Sequence, residues 1–441
     1  MLNRLRNEKV PIILVFLFSL LFVCVFTPYI YEYYLIFPLI LSFLSVFVLV
    51  LYDPYFFLNN AFIVVLFIYT VLVFMYRISG ISTAAYGNYA SYFINIATII
   101  VCVFILEKGD LRCKKILTFL IICLLLVNTI SSIVVYSTYP DLLVSLLKSD
   151  YYGGRFGKLN VGSTSFVYSL LFCTIFLYKN FLILKGIKKV LCFVLFCFFS
   201  YYIFFFGKSS TIMLSWIIAV YLITFIDRNS YQKKVFGVLL LTLLLFAFVV
   251  FGNPILDKLS YVALEISGTK AYERVMAIKN VFFGNVDSDS LSVLSRFELL
   301  RIDIDYWTIN IRTFLFGNGY HTYASTVEST DVISNAIINY SGGHSGLIDV
   351  LPKYGILGFG IVVCAIYFGH KKIKSIVGPT FGSIITIVLL LFVFNSIFNS
   401  IFTYNVLATI IIGPCFLNTQ QVINNKCFGG CNETFNKKCL L

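Results

Sequence analysis

A helix that crosses a bilayer needs about 17–25 consecutive apolar residues, because roughly 30 Å of hydrocarbon offers nothing to an unpaired backbone group. This chain of 441 residues supplies such runs near 11–27, 33–52, 56–76, 90–106, 115–137, 163–178, 188–205, 211–226, 234–251, 354–369, 381–400 and 403–417. The last two also fit a single re-entrant hairpin. Only 12% of the residues are charged, against about 25% in soluble domains, which excludes an ordinary soluble fold. The sequence therefore predicts an all-α polytopic membrane protein of about twelve transmembrane helices. Helices 1–9 occupy 1–251, one large loop 252–353, helices 10–12 354–417, and a tail 418–441. No small-residue cleavage site follows the first run, so it is expected to be a retained span.

Lysine and arginine set the orientation, because short cytoplasmic connections are enriched in them. With the N-terminus inside, the inner side collects Arg4, Arg6, Lys9, Lys108, Arg112, Lys114, Lys115, Lys179, Lys185, Lys188, Lys189, Arg228, Lys233, Lys234, Lys371, Lys372 and Lys374, with Lys426, Lys437 and Lys438 in the tail. Outside the long loop, the outer connections keep only Arg77, Lys148, Arg155, Lys158 and Lys208. Both termini are thus expected in the cytoplasm and the 252–353 loop outside it. The net charge of +13 then mostly records topology, and nucleic-acid binding is a poor reading of it. The 12 cysteines fall in spans or on the inner side, which implies no disulfide framework. Cys427, Cys431 and Cys439 in the tail lack the paired short spacings of a zinc site.

In the long loop, Val293, Phe297, Leu300, Ile304, Trp307, Ile311, Phe314 and Leu315 recur at helical spacing, with Thr308 at the edge as the polar interruption. That periodicity predicts an amphipathic helix over 291–315, stopped by Gly317-Asn318-Gly319. Arg296 and Arg301 flank the stripe. Two readings stand for them: contact with phosphate at the membrane surface, or snorkelling and local pairing, Arg301 with Asp305. Arg155, Lys158 and Lys208 extend this outward-facing basic set, which suits either a lipid pyrophosphate or anionic headgroups. Lys208 sits in a tight turn, Phe206 to Thr211, on the side where positive charge is disfavoured.

The chain has three histidines. His370 lies among inner lysines and is expected to be solvated; His321 lies in the loop. His344 stands between Ser341-Gly342-Gly343 and Ser345-Gly346, about ten residues before the next span. An imidazole there can take a proton from a hydroxyl near neutral pH, or serve structure alone. Asp287-x-Asp289 and Asp303-x-Asp305 could hold a divalent ion, but in a helix the second pair diverges to nearly opposite faces, so no metal is expected. Gly355-x-x-Gly358 opens the tenth run and reads as a close-packing device.

Taken in order, Arg155-Phe156-Gly157, the Gly207-to-Thr211 turn, Ser295-Arg296, Phe316-Gly317-Asn318-Gly319 and His344-Ser345-x9-Gly355-x-x-Gly358 resemble the O-antigen polymerase (Wzy) and O-antigen ligase superfamily of bacterial membrane glycosyltransferases. The turn departs from the Ser-Arg of many relatives by having Lys208-Ser209. The resemblance implies a multi-pass protein of the bacterial cytoplasmic membrane that works without metal, nucleotide or other cofactor. Its substrate would be an undecaprenyl-pyrophosphate-linked oligosaccharide on the outer face, with membrane lipid around it and a chain-length regulator and a flippase as partners. It also implies roles: Arg155 and Arg296 neutralise the departing pyrophosphate, Arg301 assists, and His344 activates the attacking hydroxyl. Lys208, Lys158 and Ser345 would contact substrate, and Gly355 and Gly358 would shape the backbone. The Phe-, Tyr- and Ile-rich character resembles that of many polymerases of repeat units, so the resemblance implies a polymerase before a ligase acting on lipid A-core. A flippase for the same lipid fits less well, since no internal repeat is visible and acidic residues avoid the span interiors.

Overall fold

The computed structural model describes residues 10–27, 29–30, 34–80, 86–139, 164–207, 210–226, 235–237, 239–240, 242–243, 253–262, 276, 279, 304–305, 307–317, 319, 346–399 and 401–416. The chain forms α1 (Ile12–Phe26), α2 (Ile36–Tyr52), a short α3 (Pro54–Leu58), α4 (Ala61–Ile78), α5 (Tyr86–Lys108), α6 (Leu111–Thr138), α7 (Thr164–Ile183) and α8 (Ile187–Phe205). There follow α9 (Ser210–Tyr221), which runs into a π-helical turn (Leu222–Ile226), then α10 (Ile311–Phe316), α11 (Val350–Phe398) and α12 (Tyr404–Ile412). A further helical stretch covers 253–262, and no strand occurs among the described residues.

Among the described residues, six helices are long and apolar enough to cross a membrane: α4 to α8 and the first half of α11 (Val350–Gly378). Five shorter apolar helices, Ile12–Phe26, Ile36–Tyr52, Thr211–Phe225, Phe381–Ile397 and Tyr404–Cys415, fall on other runs expected from the sequence. Most of the run at 234–251 lies outside the described residues. Phe16, Ile36, Phe47, Phe67 and Val194 project outward, each more than half exposed. Apolar surface of this extent belongs against lipid rather than water. The protein is an α-helical, membrane-embedded one.

Local chemistry explains where the helices start and stop. Asp53 closes α2 and caps α3, its Oδ1 accepting from Phe56 N at 3.1 Å, with Pro54 at the first helical position where its missing N–H costs nothing. Asp110 caps α6 in the same way, accepting from Cys113 N at 2.8 Å. At 49 residues, α11 is far too long to cross once. It folds back at Gly378, whose φ of 71° is left-handed and open to glycine without strain. His370 consequently meets Thr386 at 3.1 Å, and Gly382 lies against the Lys374 side chain. The halves thus pair as antiparallel helices, in place of a free solvated His370.

Two helices hold the centre. The apolar window of α7 is 72% buried and that of α5 67%, against 28% for α4 at the periphery. Lipid tails are as apolar as leucine, so close packing rather than water exclusion drives such association. Gly413 illustrates it: a Cβ there would stand 2.1 Å from the Phe176 ring on α7. Asn180 of α7 donates to the Phe416 carbonyl just beyond α12, while Asn95 of α5 donates to Phe402 O just before it, at 3.3 Å. The Tyr404–Cys415 segment therefore lies along α5 and α7, from the level of Asn95 to that of Asn180.

The two ends of the bundle differ in charge. At one end Lys372 pairs with Glu107 at 2.8 Å and Lys108 with Asp53 at 3.4 Å. The sequence assigns these connections to the lysine-rich side. The other end gathers the residues described next.

Candidate functional site

Gly317 and Gly355 form the closest backbone crossing at this end. A Cβ on Gly355 would fall 2.3 Å from the carbonyl carbon of Leu315, and one on Gly317 would fall 2.5 Å from Tyr354 N. Both residues adopt left-handed backbone, φ 63° and 70°. Each glycine thus leaves room for the other strand of chain. Gly319 N donates to Lys353 O at 2.8 Å, and Tyr76 of α4 donates through its phenol to Phe316 O. These contacts clamp α10 onto the start of α11. Gly358, one turn later, clears space for Tyr354, whose Cβ would be 2.2 Å from an added methyl.

The loop helix differs from the expected continuous run to 315. Helical backbone at 304–305 and 307 gives way at 308–310, and α10 begins afresh at Ile311. Asn310 causes the break. In extended backbone it accepts from both Thr313 N at 2.8 Å and Thr313 Oγ1 at 3.0 Å, a local bond that competes with helix propagation. Trp307 folds over the new turn, stacking on Phe314 at 4.7 Å and donating to its carbonyl at 2.9 Å. The buried residue of α10 is Thr313, whereas Ile309, Ile311 and Phe316 are exposed.

Around the clamp lies a tyrosine cluster. Tyr354 packs edge-on against Tyr69 at 5.9 Å and Tyr76 at 5.3 Å, and Tyr92 hydrogen-bonds with both Tyr69 and Tyr354. Arg312 is exposed on α10 within electrostatic reach of the Tyr76 phenol. Arg77 lies over the Tyr89 ring at 5.8 Å. Asp349, only 4% exposed, pairs with Lys353 at 3.3 Å, and its Oδ1 is buried without a hydrogen-bond partner among the described residues. At the start of α11, such a pair keeps charge inside the protein at a desolvation cost.

A second polar knot ties the remaining helices to this end. Tyr168 of α7 bonds through its phenol to Thr211 Oγ1 and donates to Asn395 Oδ1, each at 3.2 Å. Asn395 Nδ2 donates to Ser215 Oγ at 2.8 Å. Bonds of this kind in a membrane average about 0.6 kcal/mol, so the knot orients helices more than it stabilises them. Gly346 N donates to Asn399 O at 3.1 Å and Leu347 N to Ser396 O at 3.0 Å, which fastens the chain just after Ser345 to the same α11 terminus.

Of the residues singled out in the sequence, Arg155, Lys158, Lys208, Arg296, Arg301, His321, His344 and Ser345 lie outside the described residues. The described neighbours of Ser345 and Lys208 converge. Gly346, next to Ser345, reaches the Asn395–Asn399 terminus, and Gly207 and Thr211, on either side of the Lys208 turn, pack on Val167 and Tyr168 near the start of α7. Arg312, Asn395 and the Asp349–Lys353 pair were not visible as site residues in the sequence. An asparagine inside an apolar run is the signal that could have flagged Asn395, because an amide there demands partners.

Gly346 offers a direct test of the anchoring. A Cβ there would sit 2.5 Å from Cδ2 of Phe402, so Gly346→Ala is expected to lower thermal stability by about 1–3 kcal/mol through overpacking. Adding Phe402→Leu in the same chain should recover most of that loss, read as a melting curve of the purified protein. Equal melting of wild type and Gly346→Ala would remove the contact from the account.

No protein-family model matches this sequence, and no curated protein matches it.

Proposed function

We propose that this protein is a membrane glycosyltransferase that polymerises undecaprenyl-pyrophosphate-linked oligosaccharide repeat units on the outer face of a bacterial cytoplasmic membrane. The observation that carries the reading is the convergence of anchors. The backbone after His344-Ser345, both flanks of the Lys208 turn and the start of α7 meet at the end of the bundle away from the Lys372–Glu107 and Lys108–Asp53 pairs. In this reading the chain has twelve spans and both termini inside. His344 takes the proton of the attacking sugar hydroxyl, which forms the new glycosidic bond as the bond to pyrophosphate breaks. Arg155 and Arg296, assisted by Arg301, neutralise the charge that develops on the departing pyrophosphate, an electrostatic role for preorganised cations. Lys208, Lys158 and Ser345 hold the substrate.

Deleting the protein in its host and separating the surface polysaccharide by electrophoresis tests the reaction class. Loss of a polymerase leaves a single repeat unit on the acceptor. An acceptor bare of glycan, with polymer retained on the carrier lipid, would replace this reading by a ligase. An unchanged ladder would remove both.

A further inference from the structure

Asn395 sits in the last turn of α11, and its side chain is fully enclosed. Both amide hydrogens are used: Nδ2 donates to Leu391 O at 2.7 Å and to Ser215 Oγ on α9 at 2.8 Å. Its Oδ1 accepts from the Tyr168 phenol on α7 at 3.2 Å. A carbonyl can only accept, so Leu391 fixes which end of the amide is nitrogen and leaves the oxygen to face Tyr168. One side chain therefore sets α7, α9 and α11 in a single register. A leucine of similar size would pack the same helices and set none of these directions.

Just beyond Asn395 the helix ends, and its last carbonyls need partners. Asn395 O accepts from Asn399 N at 2.9 Å, while Ser396 O and Asn399 O accept from Leu347 N and Gly346 N at 3.0 and 3.1 Å. The backbone at 346–347 thus caps the terminus that the Asn395 amide orients. Every element tied to this amide adjoins a residue singled out in the sequence. Gly346 follows Ser345, and Thr211, which shares the Tyr168 phenol at 3.2 Å, comes three residues after Lys208. The segment that holds Arg155 and Lys158 leads into α7. An amide inside an apolar run makes insertion harder, and hydrogen bonds between membrane helices stabilise little. What the amide adds is direction.

We infer that Asn395 is a positioning residue: its amide holds the backbone that follows His344-Ser345 at a fixed place relative to the starts of α7 and α9, and so sets the geometry of glycosyl transfer. The inference rests on the polymerase reading for the reaction, and it adds a residue to which that reading gives no role. A reacting group misplaced by about 1 Å can lose about 10²-fold in rate. The amide therefore acts on the transfer step rather than on substrate affinity.

The full chain in nanodiscs of phosphatidylethanolamine and phosphatidylglycerol gives two readouts. In hydrogen exchange followed by mass spectrometry, the peptide holding Gly346 and Leu347 should exchange about tenfold faster in Asn395→Leu than in wild type, with peptides from the start of α6 unchanged. Transfer is measured per folded molecule, with lipid-linked repeat unit extracted from the host strain lacking the protein. Asn395→Leu should lower kcat by about 10–100-fold and leave KM within about twofold. Tyr168→Phe, which breaks the α7 bond and keeps the ring, should move both readouts the same way by less. Loosened helix packing alone would lower the yield of folded protein and leave kcat per folded molecule as it was; that result, or unchanged exchange at 346–347, would overturn the role. If wild type transfers nothing while Asn395→Leu loosens 346–347, the polymerase reading falls and the anchor stands. If wild type transfers and Asn395→Leu matches it, the reverse holds.

Discussion

Replacing His344 by alanine is expected to abolish the ladder of polysaccharide lengths while the amount of protein in the membrane stays at the wild-type level. A positioned acid–base group contributes about 10²–10⁴-fold to rate, and a polymer of many units needs that step repeated for every unit added. Even a partial loss per step therefore shortens the product steeply. Arg296→Ala should behave alike, because removing one charge-stabilising group costs about 10²–10³-fold. Arg296→Lys supplies the useful contrast. It keeps the charge and loses the two-pronged fork, so a shortened ladder rather than none is expected. Electrophoresis of the surface polysaccharide, with immunoblotting of membranes as the abundance control, reads all three variants. Full-length ladders from both alanine variants would take His344 and Arg296 out of the reaction.

The second large effect concerns the fold. Gly355→Ala should destabilise the protein by about 2–5 kcal/mol, the sum of left-handed strain and overpacking. The size follows from what the added methyl would meet. At 2.3 Å it collides with the Leu315 carbonyl group, which is main chain and cannot rotate away as a side chain would. Gly317→Ala should cost a similar amount, since its methyl meets Lys353 and Tyr354 main chain in return. The two costs should fall short of additive, because either one already parts the crossing. Thermal unfolding of the purified single and double variants decides this. Gly358→Ala separates the two contributions: its methyl would stand 2.2 Å from Tyr354 Cβ, an atom fixed to the main chain, but its backbone is ordinary helix, so overpacking acts there without left-handed strain. A Gly355→Ala variant that melts with the wild type would mean the crossing is loose.

Much of the helical framework could be read from the sequence because membrane helices announce themselves by composition. Runs such as 188–205 and 115–137 became helices at Ile187–Phe205 and Leu111–Thr138, as an uninterrupted apolar stretch must. Ends were harder: the apolar run was placed from 354, whereas the helix begins at Val350 and takes Pro352 into its first turn, where proline is tolerated. The loop helix was the clearest miss. Its stripe had the right period through Ile311 and Phe314, yet Asn310 captured Thr313 and restarted the helix. Periodicity reports only where apolar residues recur; it is blind to a side chain that competes for the backbone. The residues that the sequence singled out for the site lie outside the described residues, apart from Gly355 and Gly358, which the structure places at the backbone crossing. The cross-helix contacts that assemble that end, Tyr168 with Asn395 or Gly346 with Phe402, join residues too far apart in sequence for any local pattern to pair them.

The central helix, α7, carries a consequence for how the protein is made. It is the least apolar of the six long helices, and Tyr168, Ser169, Thr174 and Asn180 all lie along it fully enclosed. The groups that satisfy Tyr168 and Asn180, at Thr211, Asn395 and Phe416, are translated after it. Tyr168 meets its first such partner, Thr211, when α9 follows, whereas Asn395 and Phe416 arrive only with the chain's last helices. The full set of bonds around α7 can therefore close only at the end of synthesis, so the middle of this molecule is finished last.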